Sequence, residues 1–339
     1  MANYAYVSLQ GDDRIARFSQ DEATGALSKR EDVPLSGGPA AIAVTPNRRF
    51  FYIARRGERK LSSFRVEPAS GGLDLIGTAG LVSDPCWLAT DRSGRFVLAA
   101  YYEGRGVTVH RIGTDGVLAD PPVERLTTAR GAHCFQTDPT NRFAFVSHIA
   151  GRGPNEIWQF RFDAATGRLE PNQPARLVPD QPVGPRHYCF HPSLDVVYFS
   201  NEQGSSVGVY RLDRASGTLS ALQTLSTLPA GWTGQNSTSK CQIVPSGRFV
   251  YVPNRGHNSI AGFAVDPPTG LLTALGQTPS EKIPRAIGID PGGAFLYAAG
   301  QESGRLAAYR IEASGALRPT ETYDVGARPM WVTIVPAKG

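Results

Sequence analysis

No stretch of the 339-residue chain is apolar over the roughly 20 residues that a membrane-spanning helix needs, so a helical membrane protein is excluded. The opening Met1-Ala2-Asn3-Tyr4-Ala5-Tyr6 has no basic segment followed by an apolar one. No signal peptide is therefore read, and a cytoplasmic protein is expected. Cysteine is scarce. Cys86, Cys134, Cys189 and Cys241 lie 48, 55 and 52 residues apart, without a CxxC pair. That spacing argues for reduced core thiols and against disulfides or a zinc site. The net charge is only +5, and Arg and Lys are scattered through turns without forming a run. Neither a nucleic-acid partner nor a membrane partner is expected. A linker is missing too, so a single domain over residues 1–339 is expected despite a length that would usually suggest two.

What the chain does have is a sequence that repeats seven times. A turn carrying Arg and an aromatic residue closes one apolar run and opens the next, as in Thr45-Pro46-Asn47-Arg48-Arg49-Phe50. Aligned on the proline, the column reads Pro46, Arg92, Pro139, Pro192, Pro245, Pro291 and Pro336, at steps of 46, 47, 53, 53, 46 and 45 residues. That period belongs to four-stranded propeller blades. A Gly-x-Leu or near variant recurs once per period at Leu27, Leu73, Leu118, Leu169, Leu219, Leu272 and Leu317, marking seven hairpin turns.

The last repeat has no second strand after Pro336, whereas Asn3-Tyr4-Ala5-Tyr6-Val7-Ser8 is spare and reads like Phe50-Phe51-Tyr52-Ile53-Ala54. The expected fold is an all-β seven-bladed propeller, with residues 3–8 closing the ring as the outermost strand of the last blade and so removing exposed edges. Loops are expected near residues 150–156, 171–184 and 228–238, as insertions within repeats.

In such a blade the first strand lines a central channel and the second returns antiparallel beside it. Starts of first strands and ends of second strands therefore share one rim. Six residues before the proline column stand Ala40, Cys86, His133, Arg186, Ser239, Arg285 and Met330. Five before it stand Ala41, Trp87, Cys134, His187, Lys240, Ala286 and Trp331. Ten after it stand Arg56, Tyr102, Ile149, Glu202, Arg255 and Gln301, with Gln10 from the N-terminal strand. Scaffold columns are monotonous, but these hold His, Arg, Lys, Glu, Tyr, Gln and Trp, nearly one kind per blade. Such a rim reads as a site assembled from several blades. Arg56, Arg186, Lys240, Arg255 and Arg285 against the single Glu202 imply an anionic ligand. Other candidates read as structural: His110 and His191, the turn arginines Arg95, Arg142 and Arg248, and the loop pieces Gly104-Arg105-Gly106 and Gly151-Arg152-Gly153, which no helix follows to make a phosphate cradle.

Two segments carry a family resemblance. Gly184-Pro185-Arg186-His187-Tyr188-Cys189-Phe190-His191-Pro192, followed by Tyr198 and Asn201-Glu202, resembles the G-P-R-H-x-x-F-H-P…Y…N-E signature of the bacterial 6-phosphogluconolactonases of the seven-bladed lactonase family. Residues 245–260, with Asn254-Arg255-Gly256 at their centre, resemble that family's P-D-G-R-F-L-Y-x-x-N-R-G-x-x-S-I. Pro284-Arg285, Ala299-Gly300-Gln301 and the closing residues 326–332 match as well, so the resemblance spans the chain. The family also includes the fungal carboxy-muconate lactonising enzymes, whose active His, two Arg and Glu match His133, Arg186, Arg255 and Glu202. The chain departs from the phosphogluconolactonases at His148-Ile149-Ala150, where they often carry Asp-Leu-Gly.

The resemblance implies a lactonase acting on an anionic sugar lactone, with 6-phosphogluconolactone leading. The alternatives are a carboxy-muconate-type lactonising isomerase and a noncatalytic propeller scaffold, to which Trp87 and Trp331 lend an aromatic face. Lactone hydrolysis needs a base for water and donors for the developing oxyanion. Glu202, the only carboxylate in the rim columns, is read as the base, and His133 or His187 as proton donor or orienting partner. Arg186 and Arg255 are assigned the carbonyl or carboxylate oxygen. Arg285, Lys240 and Arg56 are assigned a distal phosphate, since a guanidinium fork fits both anions. Tyr102, Asn254, Gln301 and Trp331 complete the expected substrate contacts. No metal and no cofactor are required, and a small anionic lactone is the expected partner, with monomer and dimer both left open.

Overall fold

The computed structural model describes residues 2–337; Met1, Lys338 and Gly339 lie outside the described residues. Its strands form seven four-stranded antiparallel sheets. The first blade runs outward through Pro39–Val44, Phe50–Arg55, Lys60–Val66 and Leu73–Gly80. Among the described residues the only helical piece is a single turn, Arg56–Glu58. Second strands such as Phe96–Tyr101 and Val196–Asn201 are buried along their whole length. Their runs of β-branched and aromatic residues suit a sheet covered on both faces.

The ring closes through the N-terminus, with a correction to the expected position. In the seventh blade Pro329–Pro336 is innermost and Ala2–Leu9 lies beside it, second from the channel; Arg14–Asp21 and Leu27–Pro34 follow outward. Residues 3–8 are thus not the outermost strand. The register pairs Tyr4 with Val335 and Val7 with Val332, so the two ends of the chain are zipped together. One expected loop is also corrected: in the span 171–184 the first seven residues belong to the strand Leu169–Leu177. Pro171 and Pro174 are tolerated there because the strand is the outer edge of its blade.

The Gly-x-Leu column explains how blades adhere. Gly116, Gly167, Gly217 and Gly315 all have positive φ, and a Cβ on each would strike the ring of Phe50, Phe96, Phe143 or Phe249, which starts the second strand of the preceding blade. Glycine is needed both for the left-handed turn and for this approach. Tyr52, Tyr198, Tyr251 and Tyr297 then donate to the carbonyls of Gly116, Gly270, Gly315 and Gly25 at 2.7–2.9 Å. The turn arginines serve the same seam, since Arg142 and Arg248 donate to the carbonyls of Arg214 and Ala313 in the neighbouring blade. His191 is structural, its Nδ1 accepting the backbone N–H groups of Ser193 and Leu194.

Candidate active site

The site arises from an irregularity repeated at the start of the inner strands. Pro185 pairs with Asn201 and His187 with Ser200, so Arg186 between them is a bulged residue without a partner across the ladder. The same skip occurs at Cys86, His133, Arg285 and Met330. A bulge inserts one residue and re-aims its side chain. In this ring it turns Cys86, His133, Arg186 and Arg285 into the channel mouth. There they meet Arg56, Tyr102, Glu202 and Arg255 at the ends of the second strands, and together these eight residues line one cavity of ≈ 190 Å³.

Charge dominates this cavity. Glu202 Oε2 lies 2.6 Å from Arg186 Nε and 3.2 Å from Arg255 Nη2. Burial alone would raise the Glu202 carboxyl, but the two guanidinium groups outweigh it and hold the group below the usual carboxylate range. Four arginines facing one carboxylate leave an excess of positive charge. The contact to Arg186 is off-line for a hydrogen bond, and the Nε atoms of Arg56, Arg186 and Arg255 are all buried without an acceptor among the described residues. Burial, followed by repulsion from Arg255, lowers Arg186 to about 10. Burial and the repulsion of Arg186, Arg255 and Arg56 depress Arg285 further. Unpaired buried donors around uncompensated charge are what an anion-binding cavity requires.

The two histidines are neutral: burial and then Arg186 depress both well below the ordinary imidazole value. Their protons can be assigned by donor logic. Arg186 Nη1 sits 3.2 Å from His187 Nδ1 and 3.4 Å from His187 Nε2; an arginine only donates, and the shorter contact, to Nδ1, is taken as its hydrogen bond, which leaves Nε2 for His133. His187 therefore carries its proton on Nε2, which faces His133 Nδ1 at 3.1 Å. His133 Nδ1 accepts, so the His133 proton is on Nε2, which has no partner among the described residues.

The rim expected from the sequence is thus split. His133, Arg186, Glu202, Arg255, Arg56, Tyr102 and Arg285 come together. His187 lies behind His133, outside the lining of this cavity, and with Trp331 it lines a small adjoining pocket of ≈ 20 Å³ shared with Arg56, Cys86, Arg186 and Arg285. Lys240 and Trp331 belong to a deeper layer, the ammonium 4.2 Å from the indole centroid, with Trp87 against Trp331 and His187. Asn254 is fully engaged elsewhere: it accepts from Thr227 and Asn236, and donates to the Thr227 carbonyl and Ser259. Gln301 stands beside the cavity and accepts from Arg285 at 3.4 Å. Two contributors were not among the residues assigned a role from the sequence. Cys86 lines the mouth, its thiol donating to the Ala132 carbonyl; and the loop at 228–238 orients Arg255, whose N–H and Nη2 bond the Ser237 and Thr238 carbonyls. Recurrence in the proline-aligned column signalled Cys86, whereas nothing in the sequence pointed to Ser237 or Thr238. Among the described residues no cluster of three or more His, Cys, Asp or Glu is placed to hold a metal ion.

Comparison with known proteins agrees with this geometry. The profile of the "Lactonase, 7-bladed beta-propeller" family matches residues 2–83 and 78–334. The chain belongs to the seven-bladed β-propeller lactonase family. Within the family it is 36% identical over 314 residues to the 6-phosphogluconolactonase of Pectobacterium carotovorum, covering 92% of this chain and 93% of the relative. It is 32% identical over 335 residues to that of Yersinia pestis, covering 98% of each. Among solved structures, the periplasmic gluconolactonase PpgL of Pseudomonas aeruginosa superposes with a TM-score of 0.91 at 25% identity, over 100% of both chains. No helix among the described residues of this lactonase-family chain is long and apolar enough to cross a membrane.

Proposed function

We propose that the chain is a lactonase that hydrolyses 6-phosphogluconolactone to 6-phosphogluconate at the arginine-lined mouth. The observation that carries this reading is the set of buried guanidinium groups, uncompensated apart from one carboxylate, beside a neutral imidazole N–H. The names of the relatives support it.

A water molecule attacks the lactone carbonyl as Glu202, ionised between Arg186 and Arg255, accepts its proton. The developing oxyanion is met by Arg186, Arg255 and the His133 Nε2–H, a neutral imidazole acting as a hydrogen-bond donor. When the tetrahedral species collapses, the ring C–O bond breaks and Glu202 returns its proton to the departing alkoxide. The depressed affinity of Glu202 for protons makes this return easy. Arg285 and Arg56 hold the distal phosphate, and His187 acts through His133. The four unpaired thiols suit a reducing compartment and thus a cytoplasmic enzyme. Acid release from a panel of phosphorylated and plain aldonolactones, with carboxy-muconate as a cyclisation control, tests the reading. Turnover of the phosphorylated lactone above its spontaneous opening supports it; activity with carboxy-muconate alone overturns it.

A further inference from the structure

The channel holds a second cavity on the far side of the Trp87 and Trp331 layer. It measures ≈ 530 Å³ and is lined by residues farther along the inner strands, away from the arginine mouth. That volume lies within the range of small-molecule sites, roughly 300–1,000 Å³. Two cations, Lys240 and Arg92, line it, with no carboxylate among the lining residues. Arg92 is spent on the carbonyls of Asp138 and Thr137. Lys240 is buried at 7% exposure, yet its ammonium makes no hydrogen bond and no ion pair among the described residues, resting only on the Trp331 ring. A buried cation without a counter-ion is costly, and the shortage is of an acceptor. The remaining wall sets aromatic and aliphatic residues such as Tyr188, Phe190, Ile42 and Leu88 beside the polar Thr90, Gln136, His191, Gln242 and Thr333.

We propose that this cavity is a second ligand site, for a small carboxylate on a planar apolar body, the carboxylate pairing with Lys240 while the body lies against the two tryptophans. The site is independent of the lactone mouth and does not rest on the function proposed above.

Benzoate is the probe, followed by calorimetry and by quenching of tryptophan fluorescence. Saturable binding is expected in the wild-type protein, with neutral benzamide at least tenfold weaker. Lys240→Met lowers benzoate affinity at least tenfold, Lys240→Arg keeps it, and Arg285→Ala, which removes a cation outside the lining of this cavity, keeps it too. Unchanged affinity in Lys240→Met, loss in Arg285→Ala alone, or no saturable binding to the wild type overturns the proposal. Should Lys240→Met fail to fold, a benzoate-soaked crystal of the wild-type protein decides: density at Lys240 supports the site, and density only at Arg285, or none, overturns it.

Discussion

Glu202 presents one carboxylate oxygen to Arg186 at 2.6 Å and the same oxygen to Arg255 at 3.2 Å. One oxygen thus faces both cations while the other is left for a water molecule. Replacing Glu202 by Gln removes the proton acceptor but leaves every arginine in place. Lactone opening by Glu202→Gln should fall by about 100- to 10,000-fold above the spontaneous background, with binding of 6-phosphogluconate retained. Initial rates and product calorimetry check this; near wild-type turnover would make Glu202 merely an organiser of the arginines.

Activity and stability should respond differently to pH. Burial and Arg186 depress His133 and His187 well below 6.5, and burial pushes His148 down to about 4. Each folded value is below the unfolded one, so the unfolded chain binds more protons beneath pH 6.5. Stability is therefore full above that pH and is lost on acidification, by up to about 1.4 kcal/mol per pH unit for each such histidine. Catalysis needs the imidazoles neutral and Glu202 ionised, and both conditions persist below 6.5. Melting temperature should fall between pH 7 and pH 5 while kcat/KM stays level. A limb in kcat/KM near 6.5 would contradict the neutral assignment.

The blade seams give a test of the fold. Gly217 has φ +71°, and a Cβ there would lie 2.0 Å from the Phe143 ring of the preceding blade. Gly217→Ala combines a left-handed backbone penalty with overpacking, a loss of about 2–4 kcal/mol. Gly151, also at positive φ but with open space around it, should tolerate alanine at about 1 kcal/mol. Chemical denaturation of the two variants compares them directly.

The propeller was legible because its rules are local and repeated: a proline at six of the seven first turns, a glycine at each third turn and an aromatic that the glycine must accommodate. The mouth was legible because those columns also give strand direction, which put Arg186 and Glu202 on one rim. What stayed hidden was the bulge. An unbroken strand sends adjacent residues to opposite faces. That rule does not say which of the columns six and five residues before the proline faces the mouth; the bulge sets Arg186 there, and Lys240 lies in the layer beneath. Asn254 was misjudged for another reason: its partners Thr227 and Asn236 are distant in sequence, and hydrogen bonds to them leave no periodic trace.

Arg285 offers a test of substrate class. It lines the mouth with only a long contact to Gln301 to orient it, and is pressed by three other guanidinium groups. If it holds the phosphate, Arg285→Ala should raise KM for the phosphorylated lactone at least tenfold while leaving the plain aldonolactone nearly unchanged. Arg255→Ala, which removes a group placed at the reacting carboxyl, should depress kcat/KM for both. Equal losses with both lactones in Arg285→Ala would move Arg285 to the reaction centre.

The orientation of His133 depends on His187, and this is the most exacting prediction. With Arg186 donating to His187 Nδ1, the nearer of its two ring-nitrogen contacts, His187 Nε2 donates to His133, and the His133 proton is directed toward the cavity. Without the relay His133 can take either tautomer, and the form bearing its proton on Nδ1 offers the oxyanion a lone pair in place of a donor. His187→Phe should therefore lower kcat by about 10- to 100-fold with little change in KM, since the loss falls on the transition state. A glutamine at 187 can accept from Arg186 through Oε1 and donate to His133 through Nε2. His187→Gln should accordingly recover part of kcat, which a purely space-filling role would not allow. Nitrogen-15 NMR of the imidazoles reads the tautomers: wild type should show His133 protonated at Nε2, His187→Phe a mixture. A mixture already present in the wild type would break the relay, and with it the assignment of His133 as donor.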